Sequence, residues 1–360
     1  MKLVYVLGDG QLGHMLRQAG EPLGVTVHLI ALNSDLRIFS VNNSVITTEI
    51  ECWPNTVLTQ KLSKSISFVN RDIFPVLTDR LRQKKLLNDL NLATAPWQPL
   101  SCKTQWPQIF STLDRHVIVK CRNGGYNGHG QWNLCPDNIE IVPKNMYGQC
   151  IVEKRINFSN ELSLIGARGR NGDTAFYPLT YNFHQNGVLR ASVVLLNHNT
   201  QQNIAEHMLS MIMHELDYIG VMTMECFMSS EGLLINELSA RVHNSGHWTQ
   251  DAASISQFEL HLRAILNLPL PTPITYMPAV MLNLIGINSR MSWLSEPRLH
   301  LHWYNKTVCH GRKVGHINLV DLSPVILSQI LNSLLPTFPV EYTDYIIWAQ
   351  NTLSQKQIYI

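Results

Sequence analysis

Two glutamates lie inside apolar segments that predict a β-hairpin. Residues 221–228 and 233–238 are apolar runs joined by a short polar turn, Ser-Ser-Glu-Gly. Pairing across such a turn puts Glu225 and Glu237 opposite each other or nearly so, at about 5 Å. Two like charges this close among apolar neighbours are unfavourable unless a cation lies between them. The pair therefore predicts a site for Mg²⁺, which binds one or two carboxylates together with water and phosphate oxygens; the alternative is an unpaired surface pair.

The segment around the second glutamate is dense in hydrogen-bond donors. Residues 236–248 read Asn-Glu-Leu-Ser-Ala-Arg-Val-His-Asn-Ser-Gly-His-Trp. Arg241 can hold an anion through two parallel hydrogen bonds. His243 and His247 are four residues apart, a spacing that suits zinc on a helix, but the Asn-Ser-Gly between them breaks a helix and no HExxH motif is present. The segment therefore predicts an anion-binding loop beside the metal site, with structural histidines as the alternative and zinc disfavoured.

A glycine-rich segment begins at a lysine. Residues 120–131 read Lys-Cys-Arg-Asn-Gly-Gly-Tyr-Asn-Gly-His-Gly-Gln, with an apolar β run on each side. The chain resumes as a strand and not as a helix, so this is not a Walker loop. A glycine-rich hairpin can fold over a polyphosphate, with backbone donors on its oxygens and Lys120 supplying charge. The alternative is a flexible surface hairpin.

Two shorter segments could contact a nucleotide and a phosphate ester. Residues 151–156, Ile-Val-Glu-Lys-Arg-Ile, end a strand and are followed by Glu161. Such a hinge can contact adenine through backbone groups and ribose through a carboxylate; the alternative is a solvated strand end. Residues 311–316, Gly-Arg-Lys-Val-Gly-His, join basic side chains to glycines and suit a monoester phosphate. On its own, this second segment would be a basic hairpin in solvent.

The N-terminal segment carries a glycine pattern found in dinucleotide-binding proteins. Gly8, Gly10 and Gly13 lie between an apolar β run and a helical pattern, and Asp35 follows about twenty residues later. Such a turn lets backbone N–H groups and a helix N-terminus approach a phosphate. The alternative is a tight turn in an α/β domain, and no second complete βαβαβ half follows.

The composition excludes several classes of protein. Charged residues make up 15% and hydrophobic residues 45%, which excludes an intrinsically disordered chain. A net charge of +2 argues against nucleic acid as the main partner, and no apolar run is long enough for a membrane span. The first apolar run predicts a β-strand, since it is too short and too soon interrupted for a signal peptide. The seven cysteines include no CxxC pair, which favours reduced thiols and a cytoplasmic location.

The elements that must position these residues fall into regions that differ in their predicted secondary structure. Strands alternate with helices up to residue 98, including a helix over 75–90, and predict a parallel sheet. Residues 94–99 have the composition of a linker. Short strands then predominate, with one over 175–183, and a proline-rich boundary covers 268–273. The fold class is α/β and α+β, and the predicted domains are residues 1–98, 99–278 (with a small lid subdomain at about 99–156) and 279–360.

Taken in order, four motifs resemble one family. They are GDGQLGHML near the start, GGYNGHGQ in the glycine-rich segment, INELSARVHNSGHWT after the second glutamate, and GRKVGHINL late in the chain. Together they resemble the ATP-grasp ligases and, more closely, the 5-(carboxyamino)imidazole ribonucleotide synthetases of purine biosynthesis, over essentially the whole chain. The resemblance implies a Rossmann-like N-terminal domain, a central ATP-grasp fold and a small C-terminal domain that completes the substrate site.

The same resemblance implies the ligands and their residues. The ligands would be ATP, Mg²⁺ (with Mn²⁺ as a substitute), bicarbonate and 5-aminoimidazole ribonucleotide, in a homodimer that binds neither nucleic acid nor membrane. Glu225 and Glu237 would hold the metal, and the catalytic residues would be Arg241, His243, Lys313 and Lys120. The ATP-binding residues would be Arg80, Lys120, Gly125, Tyr126, Asn127, Gly128, His129, Gly130, Gln131, Glu153, Lys154, Arg155, Ile156, Glu161, His184, Asn236 and Glu237. The substrate-binding residues would be Tyr126, Asn127, His129, Arg241, His243, Arg312 and Lys313.

The chain departs from the family pattern in four places. Asn127 and His129 stand where the family usually has Asp and Arg or Lys, Asp9 replaces Asn, and Ser239-Ala240 replaces Ala-Pro. Because Asn127 lacks a carboxylate, we expect weaker binding of the amine and slower turnover in an enzyme that is still active. Three alternatives are another carboxylate–amine ligase of the same fold, such as a formate-using one, an NAD-dependent oxidoreductase, and a non-catalytic scaffold.

Overall fold

The computed structural model of the protein describes residues 2–32, 44–125, 130–196 and 200–354. Within these ranges the strands form three sheets of three, four and nine strands. Seven free cysteines are present, all in the described ranges. No helix in the described part of the chain has both the length and the apolar character needed to cross a membrane.

The first sheet is parallel and supports the glycine-rich turn. Its strands are β1 (Lys2–Leu7), β2 (Val25–Ile30) and β3 (Ser44–Thr48), in the order β2-β1-β3. The apolar run of β1 is buried on both faces, as expected for a central parallel strand. Helix α1 (Gln11–Gly20) lies between β1 and β2, so the predicted alternation of strand and helix is confirmed for this part of the domain, and the predicted parallel pairing is confirmed for all three strands. The helices that follow are α2 (Val57–Ser63), α3 (Phe74–Leu77) and α4 (Arg80–Asp89).

The second sheet is antiparallel and carries Lys120. It is built from β4 (Trp97–Leu100), β5 (Val117–Cys121), β6 (Gln131–Leu134) and β7 (Cys150–Lys154), in the order β4-β7-β5-β6. Helix α5 (Trp106–Thr112) covers one face, and Trp106 packs into a small separate core with Val119 and Val152.

The third sheet runs through the rest of the chain. Its strands are β8 (Asn160–Arg168), β9 (Thr174–Phe176), β10 (Thr180–Gln185), β11 (Val188–Val194), β12 (Gly220–Ser229), β13 (Gly232–Ser239), β14 (Ala279–Ile285), β15 (Leu299–Trp303) and β16 (Lys313–Val320). The order is β13-β12-β8-β10-β11-β14-β16-β15, and β9 pairs with β8. The helices are α6 (Thr200–Glu215), α7 (Thr249–Ala252), α8 (Gln257–Ile265), α9 (Pro324–Leu334) and α10 (Thr343–Ser354). Because β14 pairs with β11, the strands after residue 278 extend this nine-stranded sheet, the large sheet of the molecule. The domain limits at 98 and 278 stay predictions.

Three predicted elements were wrong in detail, each time at a proline or a cap. The strand over 175–183 is two strands, β9 and β10, separated at Pro178, which has no N–H for a ladder bond. The helix over 75–90 divides at Asp79, whose Oδ1 accepts a hydrogen bond from the Leu81 N–H at 2.9 Å and caps α4. The linker over 94–99 contains the start of β4; Pro99 is tolerated there because β4 is an edge strand.

The continuity of the large sheet makes a stability prediction. Leu282 on β14 is fully buried and pairs with Ala191 of β11 and Ile317 of β16. We expect Leu282→Ala to lower the free energy of unfolding by about 2–5 kcal/mol, since it leaves a cavity at the junction of three strands. Urea denaturation measures this. The matched control Leu322→Ala, at an exposed site, should change it by less than about 0.5 kcal/mol; equal effects would contradict the prediction.

Candidate active site

The two glutamates are cross-strand partners. Strands β12 and β13 form an antiparallel hairpin in which Glu225 faces Glu237, as predicted, and a register shift follows directly between Glu225 and Cys226. Both carboxylates are partly buried. The hairpin therefore brings two acidic groups to one place on the large sheet.

Each carboxylate has a separate basic partner. Arg80 Nη1 on α4 donates to Glu237 Oε2 at 2.7 Å, and His243 Nε2 lies 3.1 Å from Glu225 Oε1. Burial opposes ionisation of Glu225, but the hydrogen bond with His243 outweighs it, with help from His184 and Arg241, and the pKa of Glu225 is lowered to about 2. The carboxylate is therefore ionised at neutral pH.

The donor set fits a hard divalent cation. Two facing carboxylates are the ligands that Mg²⁺ takes from protein when water and phosphate oxygens complete its shell. Within the described ranges, no group of three or more His, Cys, Asp or Glu side chains converges as metal ligands. A cation here would therefore depend on oxygen ligands from substrate.

A second cluster of charges surrounds Glu153 and includes Lys120 and Lys84. Lys120 Nζ is 2.7 Å from Glu153 Oε2 and donates to Asn236 Oδ1 at 2.9 Å. Lys84 Nζ lies 3.1 Å from Glu153 Oε1 and donates to Thr94 Oγ1 at 2.6 Å. Burial raises the pKa of Glu153, but the two lysines outweigh it and lower the pKa to about 2.

Sequence reasoning missed Lys84. Burial lowers its pKa to about 8, against the pull of Glu153, so it is mostly charged at neutral pH. A signal was present: Arg80 and Lys84 are four residues apart in one helix, and such residues project from the same face.

Of the residues predicted to contact the nucleotide from the hinge, Glu161 lies near the carboxylates, whereas the side chains of Lys154 and Arg155 do not. Glu161 Oε2 pairs with His184 Nδ1. Burial lowers the pKa of His184, but this contact and the nearby charges of Glu225 and Glu237 outweigh it, so the pKa is raised overall. Lys154 Nζ lies 3.5 Å from Asp114 Oδ2, and Arg155 is exposed. The side chains of Lys154 and Arg155 are therefore not gathered with the carboxylates, although their backbone follows the buried Glu153.

The glycine-rich segment is described only at its two ends. Gly130 accepts a backbone hydrogen bond from Cys121 at 2.9 Å, and Gln131 begins β6. Gly125 ends the described part of the segment on its other side. The predictions for Tyr126, Asn127, Gly128 and His129 lie outside the described residues, as does that for Asp35 in the N-terminal domain.

Basic side chains gather at the C-terminal strands. Burial, together with Arg241, Lys306 and Arg190, lowers the pKa of Lys313 to about 7. Arg312 is exposed, and its Nη1 lies 3.4 Å from the Thr307 carbonyl oxygen. Lys306 and Arg190 were not predicted from sequence, since neither belongs to a recognisable motif. These cations repel one another, and a bound anion would offset that repulsion.

The charge of Arg241 acts both on Glu225 and on Lys313. Its Nε is 3.4 Å from Glu51 Oε1, and its Nη1 donates to the Val242 carbonyl oxygen at 3.1 Å. The guanidinium is partly exposed. Its remaining donors are available to an anion held near Glu225.

The glycine turn of the N-terminal domain holds a carboxylate of the protein itself. Glu49 accepts from the N–H of Gly13 at 2.7 Å through Oε2 and from the N–H of Gly10 through Oε1. Gly8 has φ +112°, and a Cβ there would lie 2.5 Å from Glu49 Cγ. The donors that would bind a dinucleotide pyrophosphate are thus already used, which opposes the interpretation of this turn as a dinucleotide site.

Comparison with known proteins extends over the whole chain. A family model described as ATP-grasp domain matches residues 85–258, and one described as phosphoribosylaminoimidazole carboxylase C-terminal domain matches residues 279–329. The N5-carboxyaminoimidazole ribonucleotide synthase of Escherichia coli (strain K12) is 56% identical and covers 98% of this chain and 99% of that protein. The Haemophilus influenzae protein of the same name is 50% identical, with 96% of each chain covered.

Comparison with solved structures identifies the same kind of enzyme. The N5-carboxyaminoimidazole ribonucleotide synthetase of Thermus thermophilus superposes with a TM-score of 0.83 at 33% identity and covers 92% of this chain and 97% of that chain. The Staphylococcus aureus enzyme complexed with ADP gives 0.82 at 27% identity, with 92% and 96% covered. The ATP-grasp fold and the C-terminal domain expected from the resemblance are confirmed.

The buried charges behind Lys120 predict an acid dependence of stability. The pKa of Glu153 is lower in the folded protein than its ordinary value of 4.5, so its contribution is present above that value and is lost as pH falls towards about 2. It amounts to about 3 kcal/mol. In Glu153→Gln we expect lower stability at neutral pH and a flatter loss between about pH 4.5 and about pH 2, measured by urea denaturation. Glu231→Gln, in the exposed hairpin turn, should keep the wild-type profile; an unchanged profile in Glu153→Gln would contradict the prediction.

Proposed function

The chain belongs to the N5-carboxyaminoimidazole ribonucleotide synthases, and from this we propose that it uses ATP and bicarbonate to carboxylate the exocyclic amine of 5-aminoimidazole ribonucleotide. As a member of this family it is an ATP-dependent ligase that forms a carbon–nitrogen bond. The observation that carries the detailed proposal is the facing pair Glu225 and Glu237 between Arg80 and the loop of Arg241. A metal–phosphate site and an anion site then lie side by side.

ATP would lie between the second and third sheets. The Staphylococcus aureus relative was solved with ADP, and the charged groups available here are Lys120, Arg80 and the carboxylates. Lys120 and Arg80 would contact phosphate oxygens, and Glu161 with His184 would contact the ribose. The other proposed contacts are Gly125, Gly130, Gln131, the backbone of residues 153–156, and Asn236.

Glu225 and Glu237 would hold Mg²⁺. The positive charge held by these two carboxylates would offset the negative charge that develops on the phosphate oxygens during phosphoryl transfer. Arg80 would then be displaced from, or share, the carboxylate of Glu237. Lys120, which is paired with the buried Glu153, would contribute a further positive charge.

Bicarbonate would react first. One of its oxygens attacks the γ-phosphorus of ATP, the bond to ADP breaks, and carboxyphosphate forms, with Arg241 pairing to its negative charge. Carboxyphosphate then releases phosphate and CO₂. The exocyclic amine attacks the carbon of CO₂ and passes a proton to the released phosphate, giving the carbamate. Carboxyphosphate hydrolyses in water, so the glycine-rich segment is proposed as a lid.

The ribonucleotide would be held from the C-terminal side. Lys313 and Arg312 would pair with its phosphate, and His243 would help to place it beside Arg241. Asn127, His129 and Tyr126 would complete this site from the lid, and the replacements at 127 and 129 remain the basis for expecting slow turnover. The homodimer, the cytoplasmic location and the alternative metal Mn²⁺ are predictions of the resemblance.

The reaction predicts a specific pattern of ADP release. Wild-type protein with Mg-ATP should release ADP only when bicarbonate and 5-aminoimidazole ribonucleotide are both present. Glu237→Gln should reduce this rate by about 100-fold or more because one ligand of the phosphate-bound ion loses its charge. Glu231→Gln serves as the exposed control and should keep wild-type activity. Release that ignores the ribonucleotide, or a fully active Glu237→Gln, would contradict the proposed function.

Lys313 predicts a pH dependence of substrate binding. A lysine with a pKa of about 7 is charged below that pH and loses its charge as the pH rises through it. At saturating ATP and bicarbonate, kcat/KM for the ribonucleotide should therefore fall about tenfold from about pH 7 to about pH 8.5. In Lys313→Arg, which stays charged, the profile should be flat whatever its absolute height. The same fall in both proteins would assign the dependence to another group.

A further inference from the structure

A chain of buried hydrogen bonds crosses the large sheet towards the active site. Ser192 Oγ donates to Asn182 Oδ1 at 2.7 Å, and Asn182 Nδ2 donates to Ser163 Oγ at 2.9 Å. Ser163 Oγ then donates to Ser245 Oγ at 2.8 Å. These side chains come from β11, β10, β8 and the loop after β13, and each is buried. They join three neighbouring strands of the large sheet to a loop that lies 82 residues further along the chain than Ser163.

The chain of hydrogen bonds ends at Glu225, one of the two carboxylates of the candidate metal site. Ser245 Oγ lies 2.9 Å from His243 Nδ1, and His243 Nε2 lies 3.1 Å from Glu225 Oε1. The backbone of His243 is held as well: Gln257 accepts from its N–H at 2.8 Å and donates to its carbonyl oxygen at 2.6 Å. Both the ring and the backbone of this histidine are therefore fixed.

Backbone groups set the direction of every bond. Asn182 Nδ2 also lies 3.4 Å from the Thr180 carbonyl oxygen, which can only accept, so the amide nitrogen faces Ser163. The single proton of Ser163 then goes to Ser245 Oγ, and the proton of Ser245 is left for the imidazole.

The hydrogen bonds at His243, the other end of the series, run in the same direction. The Ser245 backbone N–H, which can only donate, lies 3.3 Å from His243 Nδ1. Nδ1 is therefore the acceptor and the ring proton is on Nε2, where it points at Glu225. The opposite tautomer would place a proton against the Ser245 N–H and a lone pair against the carboxylate.

These polar groups are costly in a sheet interior. Hydroxyl and amide groups buried among apolar strands lose their contacts with water, and hydrogen bonds at most offset this loss. A nearby threonine shows the difference: Thr223 of β12 is also fully buried, yet its hydroxyl has no hydrogen-bond partner among the described residues. The connected set points to a role beyond packing.

We propose that Ser163, Asn182 and Ser245 are positioning residues for the ligase reaction, which hold His243 as the Nε2–H tautomer and through it fix Glu225 opposite Glu237. The inference rests on the proposed function, in which Glu225 is a ligand of Mg²⁺. Groups that orient a metal ligand from behind change metal affinity or activity by about 10- to 100-fold when they are removed.

The first test reads the tautomer directly in protein without substrates. The ¹⁵N spectrum of histidine-labelled protein should show His243, identified by its loss in His243→Gln, with an unprotonated Nδ1 and a protonated Nε2. In Ser245→Ala, and to a smaller extent in Ser163→Ala, a second tautomer should appear. A wild-type ring protonated on Nδ1, or a tautomer unchanged in both variants, would overturn the proposal.

The second test separates positioning from general stability. In Ser245→Ala and Ser163→Ala the Mg²⁺ concentration for half-maximal ADP release should rise about tenfold. Thr223→Val also removes one buried hydroxyl from the sheet and should change neither the tautomer nor the Mg²⁺ dependence. Equal effects in Thr223→Val, or no rise in either serine variant, would overturn the proposal.

The two readouts distinguish this inference from the function on which it rests. A protein that releases no ADP in response to the ribonucleotide would contradict the proposed function, and the tautomer could still be measured. If Ser163→Ala, inside β8, does not fold, Ser245→Ala in the loop carries both measurements. Thermal unfolding of each variant shows which case applies.

Discussion

The active site depends on holding two carboxylates face to face on adjacent strands. A hairpin alone would place Glu225 and Glu237 together with unfavourable repulsion. Each carboxylate is stabilised by one basic partner: Arg80 from the N-terminal helices and His243 from the loop after β13. Docking of the N-terminal region against the large sheet is thus part of the electrostatics of the site.

A buried group of charges extends this dependence to the second sheet. Glu153 on β7 lies between Lys120 of β5 and Lys84 of α4, and Lys120 also reaches Asn236 on β13. One carboxylate therefore joins the second sheet to the N-terminal helices and, through Lys120, to the large sheet. A buried ion group is favourable only when its members are well paired, which requires these three parts to meet in one relative arrangement.

Local patterns allowed much of this to be predicted. The facing of Glu225 and Glu237 followed from two apolar runs and a short turn, because hairpin register is a local property. The partners of these residues could not be predicted in the same way. Arg80 is 157 residues from Glu237 and Ser163 is 82 from Ser245, so their contacts arise only when distant elements pack. The division of one predicted strand at Pro178 shows that even a local prediction fails when a single residue interrupts a ladder.

The internal carboxylate at the glycine turn has a chemical consequence of its own. Glu49 acts as a built-in counter-ion for the start of α1, so a free anion could enter only by competing with a group that is tethered and always present. Each of its two oxygens accepts a hydrogen bond from one backbone N–H of the turn. Because Glu49 is buried, its carboxylate also separates the start of α1 from ions in the solvent.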